Sequence, residues 1–237
     1  MKEVIAAIRG MSKSFPTGEG DFWALKDINL DFHRGEFGGF VGPSGSGKTT
    51  LLNILGSLDV PTKGEVEVLG YKVHEINQRQ ASILRSARIG FIFQTYNLLP
   101  VYNVYENVEF PLLLLKLDAG KRDKMVKEAI EWVGLTDKIK SRPSQLSGGQ
   151  CQRVAIARAM VKKPDLVLAD EPTANLDTEN SLNILDTMVR LNEEFQTGFI
   201  FSTHDPKVIA YLKRVIKLID GEVESDDLAP GTQEYHK

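Results

Sequence analysis

The clearest chemistry in the sequence is carried by a glycine-rich run, Gly42-Pro43-Ser44-Gly45-Ser46-Gly47-Lys48-Thr49. Glycines let backbone amides turn inward around an anion, and a lysine adds a point charge suited to the β- and γ-phosphates of a nucleotide. The hydroxyl that follows the lysine is a suitable ligand for Mg²⁺. The run therefore predicts a nucleotide-binding loop (P-loop) whose contact residues are Gly42, Ser44, Gly45, Ser46, Gly47, Lys48, Thr49 and Thr50.

The flanking sequence supplies the context that this loop needs. An apolar run at Phe37–Val41 predicts a buried strand before it, and leucines at helical spacing predict a helix over Lys48–Leu58 after it. The helix N-terminus would add its dipole to the phosphate site. The alternative is a glycine- and serine-rich turn that fits the pattern by chance. Even a genuine loop of this type leaves kinases, G proteins, helicases and transporters open.

Two adjacent carboxylates, Asp170 and Glu171, follow the apolar run Leu166–Ala169. A lone Asp-Glu pair is more often a solvated turn. Function in open α/β sheets, however, collects at the carboxyl ends of the strands. In a chain with a phosphate-binding loop, the pair predicts a second position for Mg²⁺ at Asp170, held through water.

A second anion-binding pattern occurs about a hundred residues after the glycine-rich run, at Leu146-Ser147-Gly148-Gly149-Gln150. It leads into a predicted helix, so it can present amides, a hydroxyl and a helix N-terminus to a phosphate. Together the two motifs make the chain resemble the nucleotide-binding subunits of ATP-binding-cassette (ABC) transporters. The resemblance runs from about residue 3 to residue 224.

The resemblance implies roles for further residues that would mean little alone. Glu171 resembles the catalytic carboxylate that polarises the attacking water, and Gln94, after the strand Ile89–Phe93, resembles the Q-loop glutamine that touches Mg²⁺ and that water. His204 resembles the switch histidine that contacts the γ-phosphate, although a lone histidine is more often a core or surface residue. The implied catalytic set is Lys48, Gln94, Glu171 and His204, and the implied Mg²⁺ set is Thr49, Gln94 and Asp170.

In the same family an aromatic residue stacks on adenine, and each nucleotide lies between the P-loop of one subunit and the signature of the other. Phe15 stands where the aromatic residue is expected, with Phe22 and Trp23 as competitors. The resemblance thus implies an ATP-dependent homodimer. Its signature contacts to the nucleotide would be Ser147, Gly148, Gly149 and Gln150, and Asp177 would lie in the D-loop along the partner.

Composition excludes several function classes. The chain has 237 residues, with 29 basic and 32 acidic side chains, so its net charge of −3 gives no general attraction to nucleic acid. Its most apolar stretch, residues 110–117, is shorter than the ~20 residues of a spanning helix, and the N-terminus lacks the apolar segment of a signal peptide. We therefore expect a chain that stays in the cytosol, and the resemblance implies a peripheral place at the cytoplasmic face of the inner membrane.

A single cysteine, Cys151, excludes an intrachain disulfide and agrees with a reducing compartment. It directly follows the signature, where a glutamine is expected in close relatives. A redox-sensitive thiol is one interpretation, because a helix N-terminus can lower the pKa of a thiol. The other is a tolerated substitution at the start of a helix.

Strands that alternate with helices predict an α/β fold with a largely parallel sheet. The resemblance adds detail: a P-loop NTPase ABC cassette with an antiparallel β part and an inserted α-helical subdomain. We expect one domain over residues 1–237, with a core at about 1–94 and 162–224, a helical subdomain at about 95–161 and a polar tail at 225–237. Predicted strands are Val4–Ile8, Ile28–Phe32, Phe37–Val41, Glu65–Leu69, Ile89–Phe93, Leu166–Ala169, Phe199–Ser202 and Val215–Ile219, and predicted helices are Lys48–Leu58, Lys121–Val133, Gly149–Val161 and Glu179–Phe195.

An ATPase of this family works through membrane permeases, and the segment Thr95–Val108 is rich in aromatic and apolar residues that suit a docking groove. The same side chains could instead only cover the helical subdomain. The best docking candidates are Tyr96, Leu98, Leu99 and Tyr102.

The Q-loop region, the Asp220-Gly221 ending and the expected absence of a regulatory domain look most like the branch that serves lipoprotein release and macrolide efflux. The transported substrate stays open. A soluble ABC ATPase that remodels a non-membrane partner is the alternative. A small-molecule kinase would leave the signature without a role.

Overall fold

A computed structural model describes residues 2–18 and 20–229. In these ranges the chain builds two sheets with helices around and between them. The strands are β1 (Val4–Thr17), β2 (Gly20–His33), β3 (Phe37–Val41), β4 (Lys63–Val68), β5 (Tyr71–Lys72), β6 (Ile89–Phe93), β7 (Leu166–Asp170), β8 (Gly198–Thr203), β9 (Arg214–Ile219) and β10 (Glu222–Leu228). The helices are α1 (Lys48–Leu55), α2 (Gln78–Arg88), α3 (Val104–Leu114), α4 (Ala119–Trp132), α5 (Gly148–Met160), α6 (Thr178–Phe195) and α7 (Pro206–Ile209).

A six-stranded sheet of order β10-β9-β3-β8-β7-β6 forms the centre of the fold. Its strands pair in parallel except at β10, which is antiparallel to β9. Both faces of β3, β7 and β8 are covered, and this explains their almost continuous apolar sequences. The prediction of a mostly parallel α/β core is confirmed.

The second sheet has the order β2-β1-β4-β5 and is antiparallel throughout. The predicted strands Val4–Ile8 and Ile28–Phe32 are parts of two 14-residue strands. Register shifts interrupt the pairing of β1 with β2 between Ile8 and Ser14. These bulges break the two-residue alternation, so the sequence pattern underestimated the strands.

Two glycines in β3 have a steric reason. A Cβ on Gly39 would lie 2.8 Å from the Cβ of Phe201 in β8, and one on Gly38 would lie 3.2 Å from the Cβ of Arg214 in β9. Large side chains from the strands on both sides therefore occupy the space beside β3, and glycine lets the strand that feeds the P-loop approach them.

The chain between β6 and β7 contains α3, α4 and α5 and short 3-10 turns, with no strand between Phe93 and Leu166. Buried residues of these helices pack with side chains of β3, β7 and β8 in one apolar core. A second core lies where α1 meets both sheets. The structure thereby joins the helices that carry the signature to the sheet that carries the P-loop.

Two expectations on element bounds were wrong, and one helix was missed. The helix after the P-loop ends at Leu55, where Gly56 caps it, and Leu58 is half exposed. Helix α2 was missed because it buries only Ala81 and Leu84, so no apolar stripe marks it. Residues 225–228 belong to β10 instead of a polar tail, and residues 230–237 lie outside the described chain.

None of the helices in the described ranges is long and apolar enough to cross a bilayer.

Candidate nucleotide site

The P-loop joins β3 to α1, and its glycines are required by close contacts. A Cβ on Gly42 would lie 2.1 Å from the carbonyl oxygen of Leu218, and one on Gly47 would lie 2.6 Å from that of Ala24. Gly47 also has a φ of +101°, in the region that favours glycine, and it caps α1. Only glycine lets the loop lie this close to its neighbours and still direct the start of α1 at the site.

Lys48 is buried, and its Nζ donates hydrogen bonds to the carbonyl oxygens of Gly42 and Pro43, at 2.7 and 2.8 Å. Burial lowers the pKa of this ammonium, and the negative charges of Glu171 and Asp170 oppose that shift. The lysine thus closes the loop on itself, with two carboxylates near enough to favour its charge.

The hydroxyl of Thr49 donates to the carboxylate of Asp170, with Oγ1 at 3.1 and 3.3 Å from the two carboxylate oxygens. The first residues of α1 and the last residue of β7 therefore meet at the edge of the sheet. A hydroxyl and a carboxylate oxygen side by side, both exposed to the cavity, form a donor set that suits a hard cation such as Mg²⁺.

Glu171 is held from three directions. Its backbone has a φ of +45°, and its N–H donates to the carbonyl oxygen of Ser202 at 2.9 Å. Its Oε2 accepts a hydrogen bond from Thr203 at 3.2 Å, and its Oε1 lies 2.6 Å from Nδ1 of His204. A left-handed glutamate is costly, so the end of β8 stabilises an unusual conformation that aims the carboxylate.

A cavity of about 560 Å³ connects these groups. Most of the predicted site residues line it: Phe15, Ser44, Gly45, Gly47, Lys48, Thr49, Thr50, Gln94, Asp170, Glu171 and His204. The site prediction missed Ala24, Ala174 and Ser202, which also line it, and it had named Phe22 only as a competitor. Ser202 is buried, and its Oγ forms no hydrogen bond with the residues that the structure describes.

Two P-loop residues that were predicted to contact the nucleotide, Gly42 and Ser46, contact other parts of the protein in this structure. Gly42 packs against Leu218, as described above, and Ser46 is buried while its carbonyl oxygen accepts from the N–H of Gly221 at 3.2 Å. Both are absent from the residues that line the cavity in the described chain.

The aromatic wall of the cavity is a cross-strand pair. Phe15 in β1 lies opposite Phe22 in β2, and both rings line the cavity. The ammonium of Lys13 lies 5.0 Å from the ring centre of Phe15. Trp23, the other competitor, carries Lys63 over its ring at 4.8 Å. The wall is therefore built by two phenylalanines where the sequence singled out one.

Ser147, at the start of the signature, caps α5. Its Oγ accepts from the N–H of Gln150 at 3.3 Å, and Oε1 of Gln150 accepts from the N–H of Ser147 at 2.9 Å. The two glycines between them pack against their own chain: a Cβ on Gly148 would lie 3.0 Å from the hydroxyl of Tyr96, and one on Gly149 would lie 2.6 Å from Oδ1 of Asn180.

Asp177 caps α6 in the same way, since its carboxylate accepts from the N–H and the side-chain amide of Asn180. These hydrogen bonds lower the pKa of Asp177. Neither Asp177 nor the signature lies among the residues that line the P-loop cavity of the same chain. The single chain therefore does not bring the two predicted phosphate-binding elements together.

Cys151 is buried, and its Sγ lies 3.6 Å from the carbonyl oxygen of Pro143. Burial raises the pKa of the thiol. The redox interpretation needed an exposed thiol of lowered pKa, so the structure supports the tolerated substitution instead.

The docking candidates Tyr96, Leu98, Leu99 and Tyr102 are only half-buried, and Leu98 packs against the core. A groove of about 400 Å³ lies beside them, and Asn97 is part of its wall. The groove combines an apolar surface with three cations; its principal residues are Leu58, Arg85, Phe91, Phe110, Leu114, Arg158 and Lys162. The larger exposed apolar surface is thus on α3, beyond the four candidates.

Comparison with known proteins places this geometry in a family. The model of the ABC transporter family matches residues 25–174. LolD, the ATP-binding protein of a lipoprotein-releasing system in Francisella tularensis subsp. tularensis, is 40% identical over 225 residues, which cover 94% of this chain and 97% of that protein. MJ0796 of Methanocaldococcus jannaschii, an uncharacterized ABC transporter ATP-binding protein, is 40% identical over 228 residues, or 94% of this chain and 97% of that one.

Solved structures agree. A dimer of MJ0796 in a post-hydrolysis state with ADP and Pi superposes with a TM-score of 0.86 at 40% identity, over 94% of this chain and 98% of that one. CbiO1 of Clostridium perfringens, part of the cbiONQ transporter complex, gives 0.86 at 28% identity, over 96% and 89% of the two chains. These matches do not favour a soluble remodelling ATPase. The chain belongs to the ABC transporter family, as an ATP-binding subunit that hydrolyses ATP.

Proposed function

We propose that Glu171 is the group that polarises the attacking water during ATP hydrolysis, with His204 beside it at the γ-phosphate. The observation that carries the proposal is the 2.6 Å contact between the two side chains at the mouth of the P-loop cavity. A carboxylate fixed at both oxygens needs little reorganisation when the water arrives. The proposed catalytic set also includes Lys48 and Gln94, which line the same cavity.

ATP binding would begin at the P-loop. The buried ammonium of Lys48 is held by two loop carbonyls and can exchange them for phosphate oxygens, which carry more negative charge. Backbone amides at the N-terminus of α1 add donors. The paired rings of Phe15 and Phe22 offer apolar faces on which adenine could stack.

We further propose that Thr49, Asp170 and Gln94 hold Mg²⁺. The hydroxyl of Thr49 and the carboxylate of Asp170 already lie side by side, and Gln94 lines the same cavity. When bound, the ion would neutralise part of the charge on the phosphate oxygens. Besides its proposed role as a Mg²⁺ ligand, Asp170 carries a negative charge that favours the ammonium form of Lys48.

The signature is proposed to act on the nucleotide of a second copy. In one chain Ser147 lies at the capped start of α5 and not at the P-loop cavity. A head-to-tail homodimer would bring the helix N-terminus, with Gly148 and Gly149, to the γ-phosphate bound by the partner. The dimeric structures of MJ0796 support a dimer of cassettes. ATP would then join two cassettes, and hydrolysis would release them.

The membrane partner is proposed to be a permease that docks in the groove beside Tyr96, Leu98, Leu99 and Tyr102, with the exposed apolar side chains of α3 as its wider surface. The chain would then work peripherally at the cytoplasmic face of the membrane. The likeness to LolD supports a role in lipoprotein release or in related export. The division into a core at about 1–94 and 162–224 and a helical subdomain at about 95–161 would let docking move the signature relative to the P-loop.

Affinity isolation of a tagged Glu171→Gln variant from gently solubilised native membranes with Mg-ATP tests the membrane role. We expect a stoichiometric permease with few spanning helices and a large extracytoplasmic domain. Adding both Phe110→Asp and Leu114→Asp, which place charges in the groove, should abolish recovery of the permease without affecting ATP binding. If only water-soluble proteins copurify while the variant still binds ATP, the transport role is wrong.

A further inference from the structure

The turn directly after Gln94 has an unfavourable backbone. Tyr96 and Asn97 both adopt left-handed conformations, with φ values of +60° and +49°. Such conformations cost free energy in residues with a Cβ, and the cost is larger for tyrosine than for asparagine. Hydrogen bonds within the turn, from the N–H of Tyr96 to the oxygen of Phe93 and from the N–H of Asn97 to the oxygen of Thr95, follow from this shape. Something outside the turn must stabilise it.

Arg158, in the last turns of α5, supplies that support. One arm of its guanidinium donates to the carbonyl oxygen of Tyr96 at 2.7 Å, and the other donates to that of Asn97 at 2.5 Å. In the described part of the chain it forms no ion pair with a carboxylate, and its guanidinium hydrogen bonds go to this turn. The planar fork of an arginine suits two adjacent acceptors better than a lysine does.

The turn also connects α5 to the nucleotide cavity. Gln94 lines the cavity only two residues before Tyr96, and its carbonyl oxygen accepts from the side-chain amide of Asn175 at 3.0 Å. At the other end of α5, the hydroxyl of Tyr96 approaches Gly148 of the signature. Gln94 is therefore followed directly by a turn whose two left-handed residues are both hydrogen-bonded to one side chain of the signature helix.

We propose that Arg158 is a positioning residue for ATP hydrolysis. It holds Tyr96 and Asn97 in the left-handed conformation that keeps Gln94 at the edge of the nucleotide cavity. This inference rests on the proposed role of Gln94. The role proposed for Arg158 is nevertheless distinct, because Arg158 would offset backbone strain in the turn. A variant in which that strain is relieved should therefore lose less kcat when Arg158 is replaced.

A double-mutant cycle on the full chain measures that claim. In Arg158→Lys the positive charge remains and the planar fork is lost. We expect kcat for Mg-ATP to fall about tenfold, because the free-energy cost of one unsupported left-handed residue corresponds to a rate factor of that size. ATP affinity, measured by calorimetry, should stay within about threefold of wild type because the P-loop is untouched.

The rescue uses Asn97, which accepts a hydrogen bond from the hydroxyl of Thr95 through its side chain. Glycine adopts the left-handed region freely and alanine does not, while both remove that side-chain bond. Arg158→Lys should therefore cost kcat less than about threefold in an Asn97→Gly background and still about tenfold in an Asn97→Ala background.

Asn97→Val keeps Arg158 and α5 intact, so it serves if the arginine variants fail to fold. A β-branched residue disfavours the left-handed region strongly, and we expect a lower kcat with unchanged ATP affinity. Equal costs of Arg158→Lys in the glycine and alanine backgrounds, or an Asn97→Val variant with wild-type kcat, would overturn the proposal. A wild-type protein as slow as Glu171→Gln would instead contradict the proposed catalytic role of Glu171.

Discussion

Nδ1 of His204 lies 2.6 Å from Oε1 of Glu171, and the other oxygen of the same carboxylate accepts from Thr203 at 3.2 Å. Thr203 at the end of β8 and His204 directly after it thus hold the carboxylate of the residue that follows β7. The contact unites two residues 33 positions apart in sequence, at an edge where Lys48 and Asp170 also meet. Both oxygens of the Glu171 carboxylate are therefore held at the P-loop cavity.

Glu171→Gln should retain ATP binding and lose turnover by two to three orders of magnitude, or about 3 to 4 kcal/mol in the activation barrier. The amide fills the same space and can still contact His204, but it is no base. Steady-state hydrolysis and nucleotide affinity should be measured on the same preparation.

Lys48→Ala is the matched variant for that comparison. It removes the ammonium from the floor of the loop, so ATP affinity and turnover should both fall. Equal losses of ATP affinity in the two variants would remove Glu171 from the catalytic role.

Ser147→Ala should lower turnover more than its effect on stability explains. The change removes the side-chain cap of α5 and costs about 1 kcal/mol of folding free energy. Asn77→Ala is the matched control, because Asn77 forms the same reciprocal capping box on α2, away from the nucleotide. Denaturant unfolding and ATPase assays should give similar stability losses for the two variants, with reduced turnover only in Ser147→Ala. Equal turnover in both would mean that Ser147 is a cap and nothing more.

Residues whose placement depends on local order lie together as the sequence predicts. Lys48 and Thr49, named from the glycine-rich motif, and Asp170, named from its place after an apolar run, line one cavity because parallel strands bring their carboxyl ends to one edge of the sheet. Sequence analysis failed where contacts come from afar. Arg158 clamps a turn 61 residues away, and Phe22 joins the aromatic wall only through the pairing of β1 with β2. Helix α2 was missed because its sequence is strongly polar and only Ala81 and Leu84 are buried, although Asn77 and Gln80 form a capping box.

Glu36→Ala should destabilise the fold by about 3 kcal/mol, since it leaves a buried arginine partly uncompensated. Oε1 of Glu36 lies 2.7 Å from Nη1 of Arg214, and both side chains are 6% exposed. Burial is the largest single effect on the pKa of Arg214 and lowers it. The carboxylates of Asp226 and Glu36 together outweigh burial, so the net shift of the pKa is upward. Lys127→Ala, which breaks an exposed pair with Asp123 on α4, should cost less than about 0.5 kcal/mol. Urea unfolding of both variants checks the difference, and similar costs would refute the account of the buried pair.

Lys162 should make the protein more stable as the pH rises from about 8 to about 10.5. Burial lowers the pKa of its ammonium to about 8, while the unfolded chain keeps the usual value of 10.5. Between these values the unfolded state binds more protons, so the free energy of unfolding increases with pH. Below about pH 8 both states are protonated and the burial penalty is constant.

Lys162→Met removes that titration and keeps a similar volume. The free energy of unfolding of wild type minus that of Lys162→Met should therefore rise between pH 8 and 10.5, with other titrating groups cancelling in the difference. Chemical unfolding at several pH values in this window measures it. A flat or falling difference would show that the Nζ bonds to the carbonyl oxygens of Arg85 and Ser86 fully offset burial.

The central claim is that one chain supplies the P-loop and a second copy supplies the signature. Light scattering of Glu171→Gln with and without Mg-ATP tests it most directly, because a variant that binds without hydrolysing traps the joined state. We predict a monomer without nucleotide and a dimer with Mg-ATP, and a monomer in both conditions when Ser147→Arg is added. A Glu171→Gln protein that binds Mg-ATP and stays monomeric at high concentration would contradict the account.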